Sequence, residues 1–145
     1  MMSFTDIYSI TGSAMTAQTV RLNTVASNLA NADAVSASSD EAYKALKPVF
    51  ATVYKKTQLT TANDVYPNAE VRIVDVVKSA AEAEKRFEPS SPLADEEGYV
   101  YYPDIDVVSE MADMMQATRS FETNVEVLAN VKSMQQGLLR LGQGS

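Results

Sequence analysis

Asp95, Glu96 and Glu97, with Asp104 and Asp106 a few residues on, form a dense run of carboxylates in a chain of 145 residues that carries 19 acids. Carboxylates in that number could do two kinds of chemistry. They could ligate calcium, or two of them could act as acid and base in glycoside hydrolysis. A calcium loop needs oxygens at regular alternating positions and a glycine at its turn, a spacing this run lacks. Hydrolysis needs two carboxyls set apart by position, and nothing sets two apart. The run reads as a solvated acidic connector, and no metal ligand set is expected.

Other chemistry is excluded by what is missing. The chain has no histidine and no cysteine. Ser-His-Asp and Cys-His mechanisms, thiolate zinc sites and a disulfide framework are therefore impossible within it. Five scattered glycines build no phosphate-binding loop. The expectation is a protein that is no enzyme, with no cofactor and no small-molecule substrate. A net charge of −7 argues against a nucleic-acid partner. No segment approaches 18 consecutive apolar residues, so no membrane insertion is expected. The opening "MMSFTDIYSI" lacks a basic region followed by an apolar run, so any export is expected to proceed without a cleaved signal peptide.

The elements that would position these residues fall into three zones. From Phe4 to about Ala32 there is no proline, a single glycine and apolar residues at helical spacing. Phe4, Tyr8, Met15, Leu22, Val25 and Leu29 form one stripe, with Thr11 and Gln18 filling its gaps, and the spacing predicts one long helix. Ser3 or Thr5 is the expected cap. The middle, 33–103, opens on a polar loop in which Ser39, Asp40 and Glu41 can start a short helical turn. "VFATVYKKTQL" and "AEVRIVDVVKS" then read as two strands of a hairpin with a long loop, "TTANDVYPN", between them. A Pro-, Ser- and acid-rich connector follows, and the alternation over Tyr99–Tyr102 suggests a third short strand.

From Asp104 helical periodicity returns, with Asp104 or Asp106 as the cap. Val107, Met111, Met114, Thr118, Phe121, Val125 and Leu128 form a stripe that continues, offset by one residue, as Val131, Met134, Leu138 and Leu141. The methionines Met111, Met114, Met115 and Met134 could line an adaptable groove, but at this spacing they read as core. A helix over 104–141 would be roughly 57 Å long, against a diameter near 40 Å for a compact chain of this size. It is therefore expected to project, paired with the N-terminal helix in an extended coiled coil. The fold class expected is mainly α, with long terminal helices over 1–32 and 104–145 and a small β-containing middle domain over 33–103.

The stretch "ASNLANAD", Ala26–Asp33, raises a separate question. Between Asp6 and Asp33 the only side chain charged at neutral pH is Arg21, and the face away from the apolar stripe is Ser13, Thr16, Thr19, Asn23, Thr24, Ser27, Asn28 and Asn31. Solvated helices normally carry Glu and Lys, which form helix better than Ser, Thr or Asn. Either this is an ordinary helix pair with an unusually polar outer face, or that face is covered too, by copies of the chain or by related chains. Small uncharged groups allow close approach, and amides can bond across an interface without burying a charge.

"LNTVASNLANADA" (Leu22–Ala34) resembles the N-terminal signature of the bacterial flagellar rod and hook family, in which a helix ends in Asn-Leu-Ala-Asn. "SEMADMMQATRSFETNVEVLANVKSM" (Ser109–Met134) resembles that family's C-terminal helix, and "SPLADEEGYVYYPDIDVVSEM" (Ser91–Met111) is similar to its short proximal-rod members. The family's more usual Asn-Asn pair is here Ser27-Asn28. The resemblance implies a structural subunit of the basal-body rod in the periplasm, exported by the flagellar export apparatus and packed against copies of itself and other rod proteins. It also implies terminal helices that pair as a coiled coil and a torque-bearing shaft built from many repeated contacts. The assembly residues it points to are Asn23, Ser27, Asn28, Leu29, Ala30 and Asn31 on the first helix. On the second they are Met111, Met115, Arg119, Phe121, Asn124, Val125 and Leu128. A rival reading is a small acidic secretion chaperone or adaptor that binds exported helices, which would account for the acidity and the methionines but not for signatures at both ends.

Overall fold

A computed structural model describes residues 4–55 and 68–143. Its elements run α1 (Phe4–Ala30), β1 (Leu46–Lys55), β2 (Asn68–Lys78), β3 (Glu84–Phe87), β4 (Tyr99–Tyr102) and α2 (Val107–Gln143). The helices lie antiparallel. Asn28 meets Glu110, Arg21 meets Asp113, and Tyr8 reaches Gln135. At 1.5 Å per residue, α2 is about 55 Å long and α1 about 40 Å. The long C-terminal helix is unbroken, as its periodicity predicts.

Its start is set by Asp106, whose carboxylate accepts from the amides of Val108 and Ser109. That bond satisfies donors left over in the first turn, and Asp106 is the cap rather than Asp104. At the other terminus Thr5 lies inside α1. Ser3 and most of "TTANDVYPN" lie outside the described residues. Ser39–Glu41 make a turn and no helix.

The face that α2 turns toward α1 shares Met114, Phe121, Leu128 and Val131 with the stripe read from the sequence but is centred elsewhere. Ala117 and Val131 are buried, and Glu110, Met114, Phe121, Asn124 and Leu128 are half-buried. These seven residues recur at intervals of four and three, so they form a single seam. Val107, Met111, Val125, Met134, Leu138 and Leu141 are exposed, so much of the expected stripe faces outward. The expectation that the methionines are core fails for Met111, Met115 and Met134, all of them exposed. A heavily apolar helix offers more than one stripe, and periodicity alone does not say which one the partner covers.

α1 is covered on two sides, by α2 and by the β1–β2 hairpin. The hairpin is antiparallel, Leu46 opposite Lys78 and Val53 opposite Glu70, with a register shift at Val49/Phe50 that leaves Val74 unpaired. It lies along α1: Leu46 sits at Asn28, and Glu70 accepts the Ser9 hydroxyl at 2.7 Å. Seven strand residues rise about 23 Å and nineteen helix residues about 28 Å, so the two elements match in length. The Ser13 hydroxyl accepts from the Val71 amide at 3.3 Å.

What remains exposed on α1 is one narrow ribbon: Thr5, Ser9, Thr16, Thr19, Asn23, Ala26 and Ala30. Its threonines turn their hydroxyls back onto the helix, Thr16 to the Gly12 carbonyl and Thr19 to that of Met15. The puzzle of the charge-poor helix is answered largely within the chain, because the hairpin covers much of the face that lacks charge.

β3 and β4 form a second antiparallel pair, Glu84 opposite Tyr102 and Phe87 opposite Tyr99. β4 is the expected third strand. β3 falls inside the segment read as connector, because "EKRF" is short, charged and exposed at every position. Cross-strand contacts hold it in place: Lys85 lies 4.1 Å from the Tyr99 ring centre, Arg86 lies 4.5 Å from that of Tyr102, and the Phe87 ring meets Tyr99 edge-on. The acidic run serves the turn between the strands. Asp95 accepts from the amides of Tyr99 and Glu97, and these bonds hold its carboxyl below the ordinary range despite partial desolvation. Gly98 has a φ of +84°, and a Cβ there would lie 3.0 Å from the Phe87 ring, so the turn requires glycine. Val100 is completely buried at the centre of this unit, and Ser36 exchanges backbone bonds with Tyr101 alongside it.

Candidate assembly interface

The sequence-predicted site residues divide into those used inside the chain and those facing out. Asn28 is the clearest of the first kind. It is 1% exposed, and all of its side-chain capacity is engaged. Its amide nitrogen donates to the Leu46 carbonyl at 2.9 Å and to the Glu110 carboxylate at 3.2 Å. Its oxygen accepts from the Leu46 amide at 2.8 Å and from the Tyr43 hydroxyl at 3.1 Å. The amide pairs with both backbone groups of Leu46, as a neighbouring strand would, and reaches α2 at the same time. A buried amide satisfied on both sides is stable in place, whereas one lacking partners would cost about 1–3 kcal/mol.

The neighbours extend this node. The Ser27 hydroxyl lies 3.0 Å from the Tyr43 hydroxyl. Asn31 donates to the Ser27 carbonyl at 2.8 Å, tying off the last turn of α1. Tyr43, the Leu46 backbone and Glu110 were not among the residues singled out from the sequence. Tyr43 and Leu46 stand at the end of a polar loop with no periodicity to flag them, and Glu110 reads there as an ordinary first-turn acid.

Beside the node an open cleft of about 420 Å³ separates the root of β1 from the start of α2. Val25, Leu46, Pro48 and Phe50 line it, together with Arg21, Glu110 and Asp113. Arg21 spans the two helices, donating to Asp113 at 2.6 Å.

Of the remaining predicted residues, Leu29, Phe121, Asn124 and Leu128 are half-buried, the last three along the helix seam. Asn124 donates to the Ser120 carbonyl one turn back. Asn23, Ala30, Met111, Met115, Arg119 and Val125 are exposed. Val108, 76% exposed and not predicted, joins Met111 and Met115, which is 68% exposed, on the side of α2 away from α1. Exposed apolar side chains gathered on one side of a helix, unlike ones scattered singly, are the kind of feature that marks an interaction surface. Among the described residues no group of acids could hold a metal ion, and no helix is long and apolar enough to cross a membrane.

Two family models match the chain at its ends. Residues 10–37 match "Flagella basal body rod protein", and residues 96–141 match the C-terminal model of the flagellar basal body rod FlgEFG proteins. Along the whole chain, 142 residues are 45% identical to the flagellar basal-body rod protein FlgC of Escherichia coli O6:H1, covering 98% of this chain and all of that protein. The same protein of Salmonella typhimurium is 43% identical over the same coverage. That of Aquifex aeolicus is 38% identical over 135 residues, 92% of this chain and 93% of the relative. The chain belongs to the flagellar basal-body rod protein family.

Membership gives the exposed patch a context. Proteins of this family are structural parts of the flagellar rod, and the chain is accordingly a structural subunit and not an enzyme. The secretion-chaperone reading is not supported: full-length identity to rod proteins accounts for both helical ends and for the middle, which acidity and methionine content did not.

Proposed function

We propose that the chain is a subunit of the proximal rod. It leaves the cytoplasm through the flagellar export apparatus without a cleaved signal peptide and polymerises in the periplasm with copies of itself and other rod proteins. In that shaft α1 and α2 form the coiled-coil domain, residues 1–32 and 104–145, and residues 33–103 form a separate middle domain. The four-three seam on α2 supports the coiled-coil reading. Full-length identity to basal-body rod proteins is the observation that carries the functional one.

The assembly contacts follow from which side chains are free. Asn23 and Ala30 on α1, and Met111, Met115, Arg119 and Val125 on α2, touch neighbouring subunits. Ser27, Asn28 and Asn31 act from within by setting where α1 ends. Leu29, Phe121, Asn124 and Leu128 hold the pair whose outer surface is presented. Many copies of one apolar contact along a shaft share the load of a turning motor, which suits a stiff torque-bearing tube.

Deletion of the gene and complementation in the source bacterium test this. Wild type is expected to restore motility and rods in isolated basal bodies. Met115→Glu, on the exposed side of α2, is expected to fail at assembly while the chain keeps its wild-type circular dichroism. Motile cells with intact rods after deletion would refute the proposal.

A further inference from the structure

Among the described residues neither hairpin strand comes alongside α2; beyond their pairing with each other, both lie alongside α1 alone. The open cleft lies between them. One side chain crosses this separation. The Asn28 amide holds the Leu46 backbone with one bond in each direction and the Glu110 carboxylate with its second N–H. Glu110 lies on the seam that α2 turns toward α1, so it stands at this place only while the two helices are paired.

We infer that Asn28 is a latch that makes the seating of the β1–β2 hairpin conditional on the pairing of α1 with α2. When the helices separate, Glu110 leaves. The second N–H then exchanges the Glu110 carboxylate for water, the amide loses the charge-assisted bond that fixes its orientation, and the pairing with Leu46 is weakened with it. An isolated two-stranded hairpin is marginal in water, so it depends on this attachment and on the Ser9–Glu70 and Ser13–Val71 bonds further along α1. The latch transmits in both directions. A seated hairpin holds the amide in the orientation that receives Glu110, and so favours the paired helices. The device therefore couples a placement in the middle of the chain to an event at its two ends. Its presence rests on this geometry alone. Its use as a checkpoint, in which packing against neighbours pairs the helices and thereby fixes the hairpin, rests on the rod assignment above.

Hydrogen exchange on the full chain, read amide by amide through a urea series, tests the latch. In wild type, protection of Leu46 and of the β1–β2 amides is expected to rise and fall with protection of the α1–α2 seam. Glu110→Ala, a change confined to α2, is expected to speed exchange at Leu46 and along the hairpin about tenfold while the amides of Ser36 and Tyr101 keep their wild-type rates. Glu110→Gln, which keeps an oxygen acceptor, is expected to restore most of that protection. A hairpin protected while the helices are open, equal loss in both sheets with Glu110→Ala, or no recovery with Glu110→Gln would each overturn the latch. Assembly into rods is scored separately. A rod-competent chain with an uncoupled hairpin refutes the latch alone, and a coupled hairpin in a chain that never enters rods refutes the rod reading alone.

Discussion

α1 and α2 are both long and both apolar along one side, yet they are built from different residues. Between Asp6 and Asp33 the only charged group is Arg21, whereas α2 carries Glu110, Asp113, Arg119, Glu122, Glu126, Lys132 and Arg140. The difference follows the number of neighbours. α1 is flanked by α2 and by the hairpin and shows water a ribbon one residue wide. α2 has one long neighbour in the chain, and beyond Val131 its described side chains are exposed. Charge is removed where two faces are covered, because a long charged side chain between packed elements would be desolvated without a partner. Threonine and serine are tolerated there because they bond back to their own helix, as Thr11, Ser13 and Thr24 do.

The comparison can be broken most severely at the seam. Ala117 is completely buried where α2 meets α1, so Ala117→Glu is expected to cost about 3 kcal/mol or more, with loss of helix signal in urea unfolding. A stability near wild type would mean that the seam is not closed in solution. Asn28→Asp comes next, at about 2 kcal/mol. It removes both N–H donors and sets a carboxylate beside Glu110. Part of that loss should return as pH falls, because the introduced carboxyl is held above its ordinary pKa by its neighbour and is tolerated once protonated. A pH-independent loss would show that Glu110 does not face it.

Smaller changes sharpen the contrast. Arg21 is the one charge α1 keeps beyond Asp6 in its first turn, and its bond to Asp113 is partly exposed, with side chains 23% and 46% accessible. Arg21→Met is expected to cost about 0.5–1 kcal/mol in dilute buffer and less in high salt; an effect indifferent to salt would point to packing of the side-chain stem instead. Met115→Glu, on the outward face of α2, is expected to leave the isolated chain within about 0.5 kcal/mol of wild type. A large loss there would show that this face is already covered within the chain.

How much of this could be read without coordinates depends on the kind of signal. Both helices were legible, since 27- and 37-residue elements repeat their periodicity many times. The hairpin and β4 were legible from β-branched and aromatic runs. β3 was not, because four exposed residues carry no pattern of burial and owe their strand to Tyr99 and Tyr102 across the ladder. Asn28 and its neighbours stood out by residue type. Their partners did not, since Tyr43 and Leu46 are 15 and 18 positions away from Asn28 and Glu110 is 82 away.

By itself the sequence determined the absence of histidine and cysteine chemistry, the two long helices, the charge-poor character of the first and the rod signatures at both ends. These are properties of composition and of local spacing, and they survive whatever the chain packs against. Tertiary structure alone decided which stripe of α2 faces α1, that the hairpin covers much of α1's uncharged face, and that one amide ties three elements together. Each of those is a choice among surfaces that local periodicity leaves nearly equal, and it is made by which contacts can be satisfied at the same time.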